Sequence, residues 1–297
     1  MNLLVLGGNG YLGSKVLSML DGGGEHHLVC TARPTSNLSP IRRLLDSGRL
    51  RCISATPEAV ETVMQYVRFD AVLNLACSYG REGMLYPNVL EANLEFPLRV
   101  LNSAAEKGVR KFITVGTALP DELNMYSFTK KMLGEFGRYY AEHYGIAFAN
   151  LRLEMFYGAD TPGDRFLPDL VRKMLLGERV DVTVGTQHRD IIAVGDVLAI
   201  LRRMLSAEFS GYRELMVGTG VAPAISELVD FVWEETGRRS QVCKGAVPMR
   251  ENEPDCVGDP SGLARFMGAD WKPVYWKDGI RRMITEMKEQ MENEYTH

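Results

Sequence analysis

Residues 2–13 of this chain read NLLVLGGNGYLG. The apolar run at 2–6 predicts a short buried strand, and apolar residues at helical spacing over 11–20 predict a helix. Gly7, Gly10 and Gly13 fall in or beside the turn between the two elements. A strand, a tight glycine turn and a helix form the first half of a βαβ unit, so this stretch predicts a parallel sheet.

The first half of the chain repeats this alternation. Apolar runs predict strands and helical spacing predicts helices, with strands at 27–31, 50–53, 71–75, 111–115 and 146–153 and helices at 57–67, 89–107 and 126–144. The strands are apolar throughout, as a sheet buried on both faces requires. We therefore expect an α/β fold, a doubly wound parallel Rossmann sheet with a smaller C-terminal substrate-binding lobe.

The domain boundary is expected near residue 157, where the alternation becomes irregular and prolines become more frequent. We assign 1–157 to a dinucleotide-binding Rossmann domain and 158–297 to the substrate-binding lobe, with about 185–217 returning to the Rossmann domain. In this half the patterns predict helices at 166–176, 196–205, 225–235 and 277–292, and short strands at 181–184 and 214–217.

The composition is that of a globular enzyme, since 45% of the 297 residues are hydrophobic and 24% are charged. The formal net charge of -4, without long basic blocks, argues against nucleic acid as a partner. No apolar stretch approaches the roughly 20 residues that span a bilayer, and no signal-peptide pattern is present. The five cysteines include no C-x-x-C pair. We therefore expect no metal site, no membrane partner and a cytoplasmic protein.

The glycines have the spacing G-x-x-G-x-x-G, which is typical of a dinucleotide site when it joins a strand to a helix. Gly7 permits the sharp turn, Gly10 lets a pyrophosphate approach the backbone, and Gly13 lets the helix pack closely. The phosphates then lie at the positive N-terminus of the helix. The alternative is a purely structural turn. The predicted cofactor contacts here are Gly7, Asn9, Gly10, Tyr11, Leu12 and Gly13.

The second predicted strand leads into CTARPTS at 30–36. In the usual dinucleotide fold an acid at this point binds the ribose hydroxyls of NAD. No acid is present here, and Arg33 with Ser36 can bind a 2′-phosphate instead. We therefore favour NADP(H) as the cofactor and keep NAD(H) as the alternative. The alternative for Arg33 is a solvated loop residue.

The pattern Tyr-x-x-x-Lys occurs at 11–15, inside the glycine motif, and at 126–130, where it opens a helix. We treat the first match as chance. In the second, the i to i+4 spacing puts Tyr126 and Lys130 on one helix face. A nearby ammonium favours the ionised form of a phenol. The Tyr-x-x-x-Lys pattern resembles the catalytic pair of short-chain dehydrogenases, and this resemblance implies that Thr117, near the position of their catalytic Ser or Thr, orients the reacting oxygen. We expect Thr117, Tyr126 and Lys130 to be catalytic; the alternative is a helix-start aromatic with a surface lysine.

Together these motifs resemble the extended short-chain dehydrogenase/reductase family of nucleotide-sugar epimerases, dehydratases and reductases. The resemblance is carried by GGNGYLG at 7–13, Asn74-Leu75-Ala76, Asn93, YSFTK at 126–130, Leu151-Arg152, Tyr157-Gly158 and RDIIAV at 189–194 with Asp196. The run at 117–126 and LRLE at 151–154 look most like the abequose and paratose synthase group, which reduces CDP-linked 4-keto-deoxysugars with NADPH.

The sequence departs from the family pattern in three places. Leu6 replaces a frequent threonine, the segment 54–56 lacks an acid, and 118–120 lack the Asp-Glu pair of the 4,6-dehydratases. The last departure argues against dehydration, because removal of water needs a further acid and base.

The resemblance also implies site residues and an assembly. Leu75, Ala76 and Asn93 join Tyr126 and Lys130 as expected cofactor contacts. The expected substrate contacts are Ser78, Thr117, Tyr126, Glu154, Arg165 and Arg189, although Arg189 can instead form an ion pair with Asp190. A homodimer is expected through the helices near 89–107 and 126–144.

The favoured hypothesis is NADPH-dependent reduction of the 4-keto group of a nucleotide-linked deoxysugar, with CDP as the favoured nucleotide. The first alternative is a nucleotide-sugar 4-epimerase that recycles tightly held NAD. The second is a non-catalytic NADP-binding sensor or scaffold, which predicts cofactor binding without turnover.

Overall fold

The computed structural model describes residues 1–22, 26–80, 86–161, 165–251 and 253–294. The strands are β1 (Asn2–Leu6), β2 (His27–Ala32), β3 (Leu50–Ser54), β4 (Ala71–Asn74), β5 (Lys111–Thr117), β6 (Ala147–Leu153), β7 (Met155–Tyr157), β8 (Val180–Val182), β9 (Ile191–Ala193), β10 (Tyr212–Val217) and β11 (Val242–Lys244). The helices are α1 (Tyr11–Asp21), α2 (Arg42–Asp46), α3 (Pro57–Tyr66), α4 (Tyr86–Leu90), α5 (Phe96–Glu106), α6 (Met125–Tyr144), α7 (Phe166–Leu176), α8 (Val194–Ser206), α9 (Ile225–Glu235), α10 (Ser261–Met267) and α11 (Trp276–Glu294), with a 3₁₀ turn at Ser39–Ile41 and a π-helical turn at Glu91–Glu95.

The central sheet has seven strands in the order β10-β6-β5-β4-β1-β2-β3. The chain builds outward from β1 to β3, returns to the other side of β1 with β4, and builds outward again, with parallel pairing between successive neighbours from β6 to β3. The predicted doubly wound Rossmann fold is therefore confirmed. The switch point lies between β1 and β4, and ligands of such sheets bind at the carboxyl ends of the strands beside it.

The chain divides into two compact units, Met1–Leu153 with Leu198–Leu215, and Glu154–Val197 with Met216–His297. The first unit has a core of sheet and helix residues that includes Leu4, Val72 and Phe112. The second unit has its own core, in which residues of α7, α9 and α11 pack together. The assignment of cofactor binding to one part and substrate binding to the other stays a prediction.

The predicted helix at 89–107 is interrupted in the structure. Between α4 and α5 the backbone widens into a π-helical turn, in which the N–H of Phe96 donates to the carbonyl of Glu91, five residues earlier. Pro97 follows directly and has no N–H to donate to the carbonyl of Asn93, which explains why the regular hydrogen-bond ladder is interrupted here. Single π turns of this kind are frequent at functional sites. The turn holds Asn93 fully buried.

No helix in the part of the chain that the structure describes is both long and apolar enough to cross a membrane.

Candidate active site

The glycine turn has a geometry that only glycine satisfies at two positions. Gly7 has a φ of +74°, and a Cβ there would lie 2.9 Å from backbone atoms of Ala76. A Cβ on Gly13 would overlap the carbonyl oxygen of Gly7 and come within 2.8 Å of the Cα of Gly8. The turn is anchored to β2, because the N–H of Gly7 donates to the hydroxyl of Thr31 at 3.2 Å. The turn, α1 and the end of β4 are therefore packed against one another without room for side chains.

Gly10 caps the N-terminus of α1 and is exposed. The single atom near an ideal Cβ on Gly10 is the carbonyl oxygen of Gly7, at 3.3 Å. The first turn of α1 carries no acid, and the N–H groups of a first helical turn have no acceptor inside the helix. This helix N-terminus is open, has no acidic side chain in its first turn and leaves the backbone of Gly10 accessible. Such a site fits a pyrophosphate.

The other predicted residues of this turn have different surroundings. Asn9 donates through its side-chain amide to the carbonyl of Asn37 at 3.3 Å. Tyr11 is half-buried, and Leu12 is buried in the first unit.

The end of β2 is followed by a turn in which the N–H of Ser36 donates to the carbonyl of Arg33 at 2.9 Å. Arg33 is exposed. The segment 33–45 contains three arginines and no acid. The segment after the carboxyl end of β2, where the usual dinucleotide fold binds the adenosine ribose, is therefore basic. Two of its arginines lie in α2, and one of these, Arg43, pairs with Asp21 at 3.6 Å.

Lys130 lies in the second turn of α6 and is 4% exposed. Its ammonium donates to the carbonyl of Ala76 at 2.9 Å and to that of Val115 at 3.1 Å. Ala76 lies in the loop two residues after β4 and Val115 lies within β5, so two neighbouring segments of the chain hold one charge in position. Burial lowers the pKa of Lys130, and the nearby thiol of Cys77 partly offsets this shift.

The start of α6 is fixed by a reciprocal cap. The side-chain oxygen of Asn124 accepts from the N–H of Ser127 at 3.0 Å, and the hydroxyl of Ser127 accepts from the N–H of Asn124 at 3.2 Å. Such a capping box sets where a helix begins. It therefore fixes Tyr126, the second residue of α6, and its ring packs against that of Tyr79 at 5.0 Å between centroids.

Thr117 is the last residue of β5 and is 8% exposed. Its hydroxyl accepts from the N–H of Leu119 at 3.2 Å. Thr117, Tyr126 and Lys130 all belong to the first unit, and the short loop 118–124 joins the first of them to the helix that carries the other two. A hydroxyl, a phenol and a buried ammonium are the groups needed to protonate a carbonyl oxygen that is being reduced.

Asn93 clamps the loop that follows β4. Its side-chain oxygen accepts from the N–H of Ser78 at 2.8 Å, and its amide donates to the carbonyl of Ser78 at 2.8 Å. Leu75 and Ala76 lie between this clamp and the glycine turn, and the N–H of Leu75 donates to the carbonyl of Leu6 at 3.0 Å. Asn93 thus supports the loop that carries two predicted cofactor contacts and Ser78, a predicted substrate contact.

The remaining predicted substrate contacts lie in the second unit. Glu154 is 6% exposed, and its N–H donates to the carbonyl of Val217 at 3.0 Å. Arg165 precedes α7, and its guanidinium lies over the ring of Phe156 at 5.2 Å from the centroid.

Arg189 pairs with Glu253 and donates to the carbonyl of Pro254. Asp190 is fully buried, and its carboxylate accepts from the N–H of Thr219 at 2.9 Å and from that of Gly220 at 2.7 Å. The acid that pairs with Arg189 is therefore Glu253, and Asp190 closes the turn after β10.

Within the described ranges, no group of three or more His, Cys, Asp or Glu side chains is arranged to hold a metal ion.

A family model described as the NAD dependent epimerase/dehydratase family matches residues 3–218. The chain belongs to this family. A CDP-abequose synthase from Salmonella muenchen is 25% identical over 298 residues, which cover 97% of this chain and 98% of that protein. A UDP-glucose 4-epimerase from Lactobacillus helveticus is 24% identical over 317 residues, which cover 93% of each chain.

Solved structures in the family have the same fold. A UDP-glucose 4-epimerase from Thermotoga maritima, determined with UDP-glucose, has a TM-score of 0.85 at 21% identity and covers 98% of this chain and 100% of that chain. The resemblance to the extended short-chain family and the fold class are thus confirmed. The protein is an enzyme of the epimerase/dehydratase family, which uses a nicotinamide cofactor; the individual site residues stay predictions.

Some features of the site were not predicted from the sequence. The ammonium of Lys130 donates to backbone carbonyls, and a sequence motif cannot identify these because every residue has one. Tyr79 was missed, and its only sequence signal is that it follows Ser78.

Proposed function

We propose that this protein reduces the 4-keto group of a CDP-linked deoxysugar with NADPH. The observation that carries this proposal is the arrangement at the carboxyl ends of β4 and β5. The buried ammonium of Lys130 is held by the carbonyls of Ala76 and Val115. Lys130 lies four residues after a tyrosine at the start of α6, and a buried threonine ends β5. Such a set serves proton transfer to a carbonyl oxygen.

The proposed cofactor site consists of the glycine turn, the loop after β2 and the loop after β4. Gly7, Gly10 and Gly13 leave the backbone open to a pyrophosphate at the N-terminus of α1. The absence of an acid from 33–45, together with the exposed Arg33, favours a 2′-phosphate and hence NADP(H). When bound, this cofactor supplies the hydride that reduces the keto carbon.

The chain's own residues handle the proton. The Thr117 hydroxyl donates a hydrogen bond to the keto oxygen and orients it. The Tyr126 phenol gives its proton to that oxygen as the carbon–oxygen double bond becomes single, and solvent later restores the proton. The Lys130 ammonium stabilises the phenolate that results, because opposite charges attract strongly in a partly desolvated site.

The proposed substrate follows from the family and from the relatives. The CDP-abequose synthase relative matches nearly the whole chain, and the segment 118–120 lacks the acidic pair that dehydration needs. We propose Ser78, Glu154, Arg165 and Arg189 as substrate contacts. Because Arg189 pairs with Glu253, its contact with a pyrophosphate would require that pair to open.

The decisive assay follows NADPH absorbance with a panel of CDP-, UDP-, GDP- and dTDP-linked 4-keto-6-deoxyhexoses. We expect NADPH consumption, fastest with a CDP-linked sugar, and a secondary alcohol as the product. No consumption with any keto sugar would end the proposal.

A 4-epimerase is the second candidate, because a UDP-glucose 4-epimerase is similar to this chain over 93% of its length. It uses the same three residues but returns the hydride to the sugar. The epimerase hypothesis predicts purified protein that carries bound NAD, converts a nucleotide sugar to its 4-epimer and consumes no added cofactor.

We further propose a cytoplasmic homodimer that pairs through α4, α5 and α6. Exposed aromatic side chains on α6, at Phe128, Tyr139 and Tyr144, support a contact surface on that helix.

A further inference from the structure

The loop between Thr117 and Tyr126 is held by one acid, Asp121. The carboxylate of Asp121 accepts from Arg152 at 2.9 Å and pairs with Lys131 at 3.3 Å. Its backbone carbonyl accepts from the hydroxyl of Ser127 at 3.2 Å, the same hydroxyl that caps α6. Asp121 is therefore connected to the residue that follows Tyr126.

Arg152 connects the same acid to the other end of the loop. Its Nε donates to the carbonyl of Thr117 at 3.2 Å while its Nη2 donates to Asp121. The register of β5 and β6 pairs Thr117 with Leu153, and the N–H of Ala118 donates to the carbonyl of Leu153 at 3.0 Å. Arg152 thus starts from β6, an interior strand of the sheet, and reaches both the end of β5 and the loop.

We propose that Arg152 and Asp121 are positioning residues that set the spacing between the Thr117 hydroxyl and the Tyr126 phenol. The inference rests on the proposed function, because the spacing matters only if both groups act on one oxygen. Neither residue needs to touch substrate or cofactor. Arg152 holds the carbonyl of Thr117, and Asp121 transmits the restraint through Ser127 to the first turn of α6.

The fork of the guanidinium explains why arginine is needed. Nε and Nη2 are held in one plane and donate in two fixed directions, to Thr117 and to Asp121. A lysine ammonium keeps the charge but is a compact point donor that cannot reproduce both contacts. Misplacement of a catalytic group by about 1 Å can cost about 100-fold in rate.

The test measures kcat and KM of Arg152→Lys, Asp121→Asn and the double variant with the keto sugar and NADPH. We expect Arg152→Lys to lower kcat about 100-fold. KM should change by less than about threefold, since none of the residues proposed to bind substrate or cofactor is altered. Asp121→Asn keeps one acceptor oxygen, so we expect a loss of about tenfold. Because both changes break the same contact, that between Arg152 and Asp121, the double variant should be no slower than Arg152→Lys.

The matched controls are Arg110→Lys and Asp70→Asn. They alter an arginine–aspartate pair of the same unit at 3.1 Å that lies outside the site, and they should keep the wild-type kcat. Wild-type kcat in Arg152→Lys, a loss confined to KM, or additive losses in the double variant would overturn the positioning role.

Hydrogen exchange separates this inference from the proposed function. If the wild-type protein reduces no keto sugar, the proposed function fails while the restraint is still testable at the amides of Leu119 and Ser127. Faster exchange there in Arg152→Lys and Asp121→Asn than in Arg110→Lys supports the restraint, and equal exchange overturns it.

Discussion

Replacement of Lys130 by methionine removes the ammonium and keeps a side chain of similar length. Residues four apart on a helix have Cβ atoms about 5–6 Å apart, and we take this value as the separation between the Lys130 ammonium and the Tyr126 phenolate. At that separation and an effective dielectric constant of about 20, the attraction between an ammonium and a phenolate is about 3 kcal/mol. That loss corresponds to a kcat about 100-fold lower.

The assay compares kcat of Lys130→Met with that of Lys107→Met, a variant of an exposed lysine in the same unit that should remain fully active. Folding is checked by circular dichroism and by cofactor binding. Wild-type kcat in a folded Lys130→Met protein would refute the role assigned to the ammonium.

The same variant changes the pH dependence of stability. Burial lowers the pKa of Lys130, so between that value and the ordinary lysine pKa the unfolded chain binds more protons than the folded one. The free energy of unfolding of the wild type therefore rises with pH through this window. Chemical denaturation at a series of pH values should show wild type gaining stability relative to Lys130→Met as pH increases; a constant difference would contradict the assignment.

Three further predictions concern the cofactor and the assembly. Gly13→Ala introduces a Cβ that overlaps the carbonyl of Gly7, so calorimetry should give cofactor affinity at least about tenfold weaker. Gly22→Ala, at the C-cap of the same helix, places its Cβ 3.7 Å from the nearest atom and should bind normally. Arg33→Ala should raise KM for NADPH about tenfold and leave KM for NADH unchanged, and equal effects on both would contradict a 2′-phosphate contact. Sedimentation equilibrium should give twice the chain mass of 33.2 kDa, with Tyr139→Asp favouring the monomer; a monomeric wild type would refute the dimer.

Local patterns predicted the sheet and the glycine turn well. A buried parallel strand is recognised as a short apolar run, and a glycine motif after such a run indicates a tight turn into a helix. The bounds of β1 and α1 therefore agree closely with prediction. Tyr126 and Lys130 were proposed as a pair because they match the Tyr-x-x-x-Lys pattern, and the i to i+4 spacing puts them on one helix face.

The missed features depend on partners distant in the chain. The Lys130 ammonium is held by the carbonyl of Ala76, 54 residues earlier, and backbone carbonyls carry no residue-type signal. The hydrogen bonds of Asn93 to Ser78, 15 residues earlier, and of Arg152 to Thr117, 35 residues earlier, likewise exist only in the folded chain. Short strands such as β7 and β9 form only by pairing with each other, so periodicity over so few residues did not reveal them.

The proposed reaction depends on the phenol of Tyr126 as the proton donor, and turnover of Tyr126→Phe measures this directly. The variant removes one oxygen and keeps the ring that packs against Tyr79. We expect kcat for the keto sugar to fall at least about 100-fold with NADPH binding retained, while Tyr144→Phe on the same helix stays fully active. A Tyr126→Phe enzyme that turns over at the wild-type rate would contradict the account.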